Sequence, residues 1–518
     1  MSVPVTLAFS GDQHADLRSF LFPGDGKEAV AILLCGRRDG DRRHRLVVRE
    51  VYGIAYEDCS ERTPTRVTWP PDYIAPMLGR AAAERLSVVK VHSHPTGYAA
   101  FSLTDDKSDR QLLPMIRGWV EADVPHGSVV MLPDGQLFGR VLNSAGELEA
   151  IECIAVAGDD LYFWYSDMGS VELPDFVASH AQAFDDGTIE RFRRLSFAVI
   201  GASGTGSPTV EQLMRLGAAV IVTVDDDHME EGNVNRILNS TMADVKDKRA
   251  KVDVLADAAG RARLGTRIIP LKKNLWDPEV VHEVAQCDIV FGCMDTVDGR
   301  FLLNVLATYY SIPYFDIGVR LDAIKSPNGK ARIREVCGTV NYLQAGRSSL
   351  VSRGLFSMGD VAAAGLRRND PAAHDRQVED GYIRGIGAHR PAVISVNMFA
   401  SGLAVNELLA RLHPFREEPN SAYASVTFSL ASVELIYEAK RAFAISSAAR
   451  SASATLNLRW DSWSLQRGGH EALARSFSGR LPDPEEAAHP PLRDPHCGRQ
   501  SSQKTQAQDL VHRSGRRL

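Results

Sequence analysis

Cysteine is scarce in this chain of 518 residues, and the few cysteines are poorly placed for a disulfide framework. They are odd in number and scattered, and no Cys-x-x-Cys pair occurs. A disulfide-stabilised secreted scaffold is therefore not expected. The seven cysteines are Cys35, Cys59, Cys153, Cys287, Cys293, Cys337 and Cys497.

Long apolar runs and an excess of charge of one sign are also missing. No segment approaches the roughly 20 apolar residues of a membrane-spanning helix. The N-terminal Met-Ser-Val-Pro-Val lacks the basic and apolar regions of a signal peptide. The net charge of −6 provides no general attraction to nucleic acid or to a membrane surface. These absences predict a soluble, cytoplasmic protein.

The apolar residues that are present suffice for more than one core, since 44% of the chain is hydrophobic. The order of strand and helix patterns predicts an α/β protein. We predict a first domain over residues 1–165, a polar linker over 166–190 and a second domain over 191–440. An extension over 441–518 follows, and its polar composition predicts disorder from about residue 478.

Two histidines one residue apart mark the first candidate site. Val88–Val91 is predicted to be a short buried strand, and His92 and His94 follow it directly. Side chains alternate on an extended segment, so both imidazoles should point the same way. Asp105 can return from the next loop as a third ligand, with water in the fourth position. Such an open tetrahedral set is typical of a catalytic zinc.

The sequence His-Ser-His-Pro, followed after six residues by Ser-Leu-Thr-Asp, resembles the HxHP and SxxD motif of the JAMM (MPN-plus) metalloproteases. The resemblance extends to the segments 27–36 and 128–135, so it covers most of the first domain. Asp106 and Asp109 follow the motif closely. We predict that they are charges at the N-terminus of a helix capped by Ser102.

The JAMM resemblance implies a peptidase or isopeptidase that cleaves at the C-terminus of a ubiquitin-like protein. It implies that His92, His94 and Asp105 hold Zn²⁺. It also implies that Glu28 is the general base and that Ser102 stabilises the oxyanion. The residues alone leave other interpretations open: the histidine turn could cap a strand, and Glu28 could be a solvated residue at a strand start.

A second pattern begins after the linker. Phe197–Ile200 and Val220–Val224 are predicted strands, and a glycine-rich turn and an apolar helix lie between them. This βαβ unit predicts a Rossmann-like, mainly parallel sheet. Gly201, Gly204 and Gly206 would let backbone amides approach phosphates at the helix N-terminus. The glycine pattern by itself fits any dinucleotide-binding domain.

The segment after the second strand indicates which kind of nucleotide-binding domain this is. Asp-Asp-Asp at 225–227, followed by Gly-Asn-Val-Asn-Arg at 232–236, resembles the DxD and SNLNR signatures of the ThiF/MoeB family. That family is the adenylating core of ubiquitin-activating enzymes, and the resemblance spans about residues 190–412, including Arg390–Asn397. It implies ATP-dependent adenylation of a carboxylate. An NAD-dependent dehydrogenase is the rival interpretation of the first aspartate, but an Asn-rich segment ending in Arg is not typical of that class.

The ThiF resemblance also implies residue roles. Asp225 would hold the ribose hydroxyls, while Asn235 and Arg236 would meet the phosphates. Lys251 would add positive charge at the phosphates, and Asp295 would position ATP-bound Mg²⁺. The register of the lysine is unusual, and the alternatives to it are Lys248 and Arg249.

Three departures from the ThiF pattern fall in the second half. Ser203 stands where a third glycine is usual, which is tolerable if the position does not need positive φ. His180 stands near the place of an arginine that completes the adenylation site. Ser349 and Ser352 replace a frequent cysteine pair, so a structural zinc or a thioester cysteine is missing there. Cys337 is the nearest remaining candidate nucleophile, and its alternative role is a small strand residue.

The two resemblances together predict a bifunctional enzyme acting on a ubiquitin-like protein with a Gly-Gly C-terminus. One domain would mature or remove the modifier, and the other would adenylate its carboxylate. Such fusions resemble components of bacterial conjugation systems, some linked to phage defence, which adds a ubiquitin-conjugating-like enzyme as an expected partner. Related adenylating enzymes are often dimers, which adds a homodimer. The first alternative is sulfur-carrier activation in cofactor or amino-acid synthesis. The second is an active protease with a non-catalytic ThiF-like domain.

Overall fold

The computed structural model describes residues 3–120, 124–169, 172–325, 331–379 and 391–439, all within one compact unit that spans residues 1–444. The predictions for Arg390 and for the extension 441–518 lie outside the described residues. None of the helices in the described ranges combines the length and the apolar character that a bilayer crossing requires.

The first domain is built on a nine-stranded mixed sheet in the order β11-β10-β1-β3-β2-β6-β7-β8-β9, with a separate β4-β5 hairpin. Its strands are β1 (Val5–Ser10), β2 (Val30–Arg38), β3 (His44–Gly53), β4 (Glu61–Thr63), β5 (Arg66–Thr68), β6 (Ser87–Ser93), β7 (His126–Met131), β8 (Leu137–Leu142), β9 (Leu148–Ala150), β10 (Cys153–Ala157) and β11 (Leu161–Tyr165). Its helices are α1 (Gly11–Leu21), α2 (Ala75–Glu84) and α3 (Leu103–Val120).

Strand β2 has helices on both of its faces because it is apolar at every position from 30 to 35. Alternate residues face opposite sides. Ala31 and Leu33 pack in the same core as Leu17 of α1. Val30 and Ile32 pack in the second core, to which α2 and α3 contribute. His92 lies on β6, the neighbour of β2, and His94 follows this strand directly, so both histidines are held by a strand buried on both sides.

The second domain is an eight-stranded sheet in the order β14-β13-β12-β15-β16-β17-β18-β19. Its strands are β12 (Ser196–Ile200), β13 (Val220–Val224), β14 (Arg267–Leu271), β15 (Ile289–Gly292), β16 (Tyr314–Lys325), β17 (Ala331–Leu343), β18 (Ser425–Ser429) and β19 (Glu434–Glu438). Helices α4 (Ala178–Phe184) and α5 (Asp186–Phe192) precede the sheet. The others are α6 (Gly206–Arg215), α7 (Met242–Lys246), α8 (Lys251–Ala262), α9 (Pro278–Val284), α10 (Val297–Tyr310), α11 (Met358–Asn369), α12 (Pro371–Glu379) and α13 (Ile394–Leu412).

The α/β prediction is confirmed, because five adjacent strands of this sheet pair in parallel, in the order β14-β13-β12-β15-β16. The strand predicted at Tyr314–Phe315 is much longer in the structure. Beyond Ile317 it carries exposed and charged residues, and it is stabilised by antiparallel pairing with β17 rather than by an apolar run. The predicted linker also holds two helices, because Ile189 and Phe192 are buried.

The two domains contact each other through charged and polar groups, and Leu161 and Phe163 of β11 also pack in the core of the second domain. Arg43 and Arg45, at the β2–β3 hairpin, pair with Asp288. The hydroxyl of Tyr342 donates to the carbonyl of Gly158 at 2.5 Å. Asp288 directly precedes β15, and Tyr342 lies beside the start of β16. The first domain therefore contacts the amino-terminal edge of the parallel strands.

Candidate metal centre and nucleotide site

Three side chains converge at the end of β6. The Nε2 atoms of His92 and His94 lie 3.1 Å apart. Asp105 Oδ1 lies 3.0 Å from His92 Nε2, and Asp105 Oδ2 lies 3.5 Å from His94 Nε2. All three residues are buried. The structure thus brings together the three ligands that the sequence suggested.

These separations fit a zinc ion. Tetrahedral ligands about 2.0–2.1 Å from a common centre stand about 3.3–3.4 Å from one another. His94 Nδ1 lies 2.7 Å from the carbonyl oxygen of Tyr98. This contact holds the ring proton on Nδ1 and leaves the lone pair of Nε2 free to bind a metal. Two imidazoles and one carboxylate are a donor set that zinc accepts.

The electrostatics around the three ligands also favour metal binding. Burial lowers the pKa of His92, which keeps its imidazole neutral. Burial opposes ionisation of Asp105, yet hydrogen bonds with both histidines and Ser102 hold its pKa well below the usual range. For His94, burial lowers the pKa, but the hydrogen bonds to Asp105 and to the Tyr98 carbonyl, with the charges of Asp105 and Glu28, together outweigh burial and raise it. A metal ion would take the place of these shared protons.

Ser93, between the two histidines, ties them to the strand that follows Glu28. Its amide donates to the carbonyl of Ala29 at 3.1 Å, and its hydroxyl accepts from the amide of Ala29 at 3.0 Å. The pairing of Val30 with His92 continues this register. Glu28 therefore lies beside the candidate metal ligands, although 63 residues separate it from His92 in the chain.

Glu28 has the environment of a proton acceptor. It is only 5% exposed. Burial raises its pKa to about 7, partly opposed by the charges of His94 and Lys90. A general base is most effective when its pKa lies near the working pH. The hairpin of β4 and β5 fixes its backbone, since its amide donates to Thr63 and its carbonyl accepts from Arg62.

Ser102 is the N-cap of α3 and orients Asp105. The Ser102 hydroxyl donates to Asp105 Oδ2 at 2.6 Å and accepts from the Asp105 amide at 3.2 Å. The Ser102 amide donates to the same carboxylate at 2.7 Å, which completes a capping box. The role of Ser102 at an oxyanion stays a prediction, because its hydroxyl is directed at the ligand in this structure.

The glycine-rich turn lies at the carboxyl end of β12, where nucleotides bind in such sheets. Gly201 has a φ of +96°, and a Cβ there would lie 2.6 Å from the Cys293 carbonyl oxygen. A Cβ at Gly206 would lie 1.7 Å from the Gly201 carbonyl oxygen, and one at Gly204 would lie 2.3 Å from Asn397 Nδ2. A side chain at Gly201 or Gly206 would require the backbone to move, whereas one at Gly204 would require the side chain of Asn397 to shift.

Asp225 and Lys251 lie next to this turn. Asp225 Oδ2 accepts from the amide of Ala202 at 2.7 Å, and its Oδ1 lies 3.8 Å from Lys251 Nζ. Lys251 also pairs with Asp227 at 2.6 Å. Of the three basic candidates, Lys251 thus lies beside the acidic segment, whereas Arg249 pairs with Asp244 and Asp257 on another side.

The remaining predicted nucleotide residues lie around the same turn. The side chain of Arg236 packs 3.3 Å from the position of a Cβ on Gly204, and it contacts Asn235 Oδ1 at 3.2 Å. Asp295 is exposed and follows β15, between that strand and α10. A carboxylate in this place offers the hard oxygen ligand that Mg²⁺ prefers.

The departures from the ThiF pattern have structural explanations. Ser203 does not have a positive φ, so a side chain is tolerated there. Ser349 and Ser352 bond to each other: each hydroxyl accepts from the other's amide, at 2.8 and 3.1 Å. His180 lies on α4, and its buried Nδ1 has no hydrogen-bond partner among the described residues. Cys337 lies within β17. Burial and Glu335 raise its pKa, which lowers the fraction of the reactive thiolate.

The prediction that Asp106 and Asp109 are charges at the helix N-terminus is wrong for Asp109. Asp109 is fully buried, and it is paired with Lys90 and Arg140. Asp106 also pairs with Arg140. Their position in the chain suggested two charges at the helix N-terminus, because nothing in the local sequence indicates that this helix face packs on the basic side chains of the sheet.

Comparison with known proteins identifies both halves. Residues 177–442, half of the chain, match the model of the ThiF family, and the chain belongs to that family. Residues 12–136 match the model described as prokaryotic homologs of the JAB domain. The fusion of a JAB-type domain with a ThiF-type domain, inferred from the motifs, is thereby confirmed.

Curated relatives match part of the chain. Ubiquitin-like modifier-activating enzyme 5 of Aedes aegypti is 26% identical over 26% of this chain and 36% of its own length. Adenylyltransferase and sulfurtransferase UBA4 of Meyerozyma guilliermondii is 29% identical, over 24% and 28%. SAMP-activating enzyme E1 of Haloferax volcanii is 32% identical, over 22% and 42%. The chain thus spans less than half the length of these relatives. Among solved structures, E. coli MccB with ATP covers 53% of this chain and 74% of its own, with 15% identity and a TM-score of 0.38.

Proposed function

We propose that the chain is a bifunctional enzyme acting on a ubiquitin-like or sulfur-carrier protein. The first domain would be a zinc-dependent peptidase or isopeptidase that matures or removes the carrier. The second would adenylate the carrier's C-terminal carboxylate with ATP and Mg²⁺. The observation that carries the proposal is the convergence of His92, His94 and Asp105 at zinc-ligand separations beside the buried Glu28.

The residues of the first site have separate roles. His92, His94 and Asp105 would hold the zinc, which supplies Lewis acidity toward water and toward a scissile carbonyl. Glu28 would accept a proton from water and pass it to the leaving amine, for which a pKa near neutrality is suited. The β4–β5 hairpin limits the motion of Glu28 by bonding to its backbone on both sides.

The glycine-rich turn of the second site supports adenylation. Gly201 and Gly204 lie in this turn before the N-terminus of α6, where phosphates would bind. Lys251 and Arg236 would stabilise charge that develops on the phosphates, and Asp225 would meet the ribose. Membership of the ThiF family and the names of the relatives support this half of the proposal.

The activated carrier could pass to a thiol of this chain or directly to a partner's sulfur, as in the alternative of sulfur-carrier activation. Burial and Glu335 raise the pKa of Cys337, so its surroundings do not activate this thiol. The UBA4 relative is named a sulfurtransferase as well as an adenylyltransferase. The cytoplasmic location, the homodimer and the defence role stay predictions.

Each candidate site lies at the strand end away from the contact between the domains. Strand β2 runs from Val30, which pairs with His92, to Arg38, next to the β2–β3 hairpin that contacts the second domain. Its length is roughly 26 Å at about 3.3 Å per residue. Strand β15 begins after Asp288 at the same interface and ends before Asp295. A tail cleaved at the first site would therefore have to leave it before it is adenylated at the second.

Zinc analysis tests the first half. The purified full chain should hold one equivalent of zinc, His92→Ala should lose it, and Glu28→Gln should retain it. Cleavage of a carrier precursor extended beyond Gly-Gly should fail in both variants. A wild-type protein that takes up no zinc, or a Glu28→Gln variant that cleaves normally, would overturn the peptidase assignment.

Pyrophosphate exchange tests the second half. With ATP, Mg²⁺ and a mature carrier encoded by a neighbouring gene, the wild type should exchange labelled pyrophosphate into ATP, and Asp225→Ala should not. ATP binding without any exchange would contradict adenylation and would support the alternative of a non-catalytic ThiF-like domain.

A further inference from the structure

A buried cluster of charges lies beside the metal ligands. Asp109 is fully buried in α3. Its Oδ1 accepts from Lys90 Nζ at 2.5 Å, and its Oδ2 accepts from Arg140 Nε and Nη2 at 2.9 and 2.7 Å. The carboxylate is thus held on both oxygens by cations from β6 and β8, and the ligand binding described above uses none of the three residues.

The cluster lies beside the metal site on the same two elements, β6 and α3. Lys90 precedes His92 by two residues on β6, so their side chains share one face. Asp109 follows Asp105 by four residues on α3, so these also share a face. The pair of Lys90 with Asp109 therefore parallels the pair of His92 with Asp105, and any shift of α3 along β6 would disturb both.

Arg140 fixes the first turn of the same helix. Its Nη1 donates to Asp106 Oδ1 at 2.5 Å. Its guanidinium carbon lies 3.7 Å from the ring centroid of Phe101, the residue before the Ser102 cap. Phe101 in turn packs edge-on against Phe138 of β8. The turn that carries Asp105 is consequently held from the segment before it and from the residues after it.

Stability by itself is a weak explanation for the cluster. Buried ion pairs often contribute little or less than apolar packing, because desolvating the charges offsets their attraction. They do specify one arrangement of the elements that they join. Asp105 must lie within ligand distance of two histidines on another element, and such a ligand tolerates little displacement.

We propose that Asp109, held by Lys90 and Arg140, is a positioning residue that sets Asp105 against His92 and His94 and so determines zinc affinity. The proposal rests on the proposed zinc site. Support of this kind from residues beyond the ligands typically changes metal affinity by about 10- to 100-fold.

The test measures zinc affinity of the full chain by competition with a chromogenic chelator, after the bound metal has been removed. Asp109→Asn and Lys90→Met should each weaken zinc binding, by about 10- to 100-fold for the first. Lys90→Arg, which keeps the cation, should retain most of the affinity. Asp288→Asn is the matched control: it also alters a buried carboxylate between two cations, but far from the metal, and should lower thermal stability without changing zinc affinity.

Each result has one meaning. Asp109→Asn and Lys90→Met variants that bind zinc as tightly as the wild type, even with lower melting temperatures, would overturn the positioning role and leave the zinc site standing. If Asp109→Asn fails to fold, Lys90→Met decides, because Arg140 still satisfies the carboxylate in it. A wild-type chain that binds no zinc would instead overturn the proposed function.

Discussion

Replacing Asp288 by alanine should destabilise the joined domains strongly. Its Oδ2 accepts from the amide and the hydroxyl of Ser196 at 2.8 and 2.7 Å, and its Oδ1 pairs with Arg43 and, at 3.7 Å, with Arg45. The side chain is only 3% exposed. The substitution leaves two largely buried guanidinium groups without their counter-charge. Breaking a buried pair in this way costs about 3–5 kcal/mol.

Urea unfolding, followed by circular dichroism, measures this loss. Asp39→Ala is the matched control, because Asp39 lies in the same hairpin and pairs with Arg37 at 2.5 Å but is 48% exposed. An exposed pair contributes about 0–1 kcal/mol. Equal effects of the two substitutions would refute the reasoning. Two separate transitions in Asp288→Ala would show that this contact couples the unfolding of the domains.

The same carboxylate predicts a pH dependence. Burial opposes its ionisation, but Arg43 and Arg45 hold the pKa of Asp288 below its usual value. In the unfolded chain the pKa of an aspartate is about 3.9. A lowered folded pKa stabilises the protein above that value, and the stabilisation is lost as the pH falls through the folded pKa. The stability difference between wild type and Asp288→Asn should therefore be full at neutral pH and shrink below about pH 4.

Further predictions concern the second site and the separation of the two sites. Gly201→Ala should abolish ATP binding measured by calorimetry, because the backbone has positive φ and the added carbon meets a carbonyl oxygen, whereas Ser203→Ala should bind normally. An equimolar mixture of Glu28→Gln and Asp225→Ala should convert a carrier precursor into the adenylate, because the cleaved tail must leave one site before it enters the other. Failure of the mixture, with each variant active in its own half-reaction, would contradict that separation.

Much of the fold could be predicted from local patterns. The apolar runs before Gly201 and Asp225 marked parallel strands, and the structure places them within a residue of the prediction. The β16–β17 hairpin could not be predicted, because its outer part is polar and is stabilised by the pairing of the two strands with each other rather than by an apolar run. The helices of the predicted linker were missed for a similar reason, since only a few of their residues are buried.

The sequence by itself determined the chemical identity of both sites. The alternation of a strand brings His92 and His94 to one side, and the tight turn requires glycine at 201, because covalent spacing and backbone sterics act over a few residues. Only the tertiary structure decided that Asp109 of α3 is buried and paired with Lys90 and Arg140 of the sheet. It also decided that each candidate site lies at the strand end away from the contact between the domains, since the packing of distant segments sets strand register, burial and charge pairing.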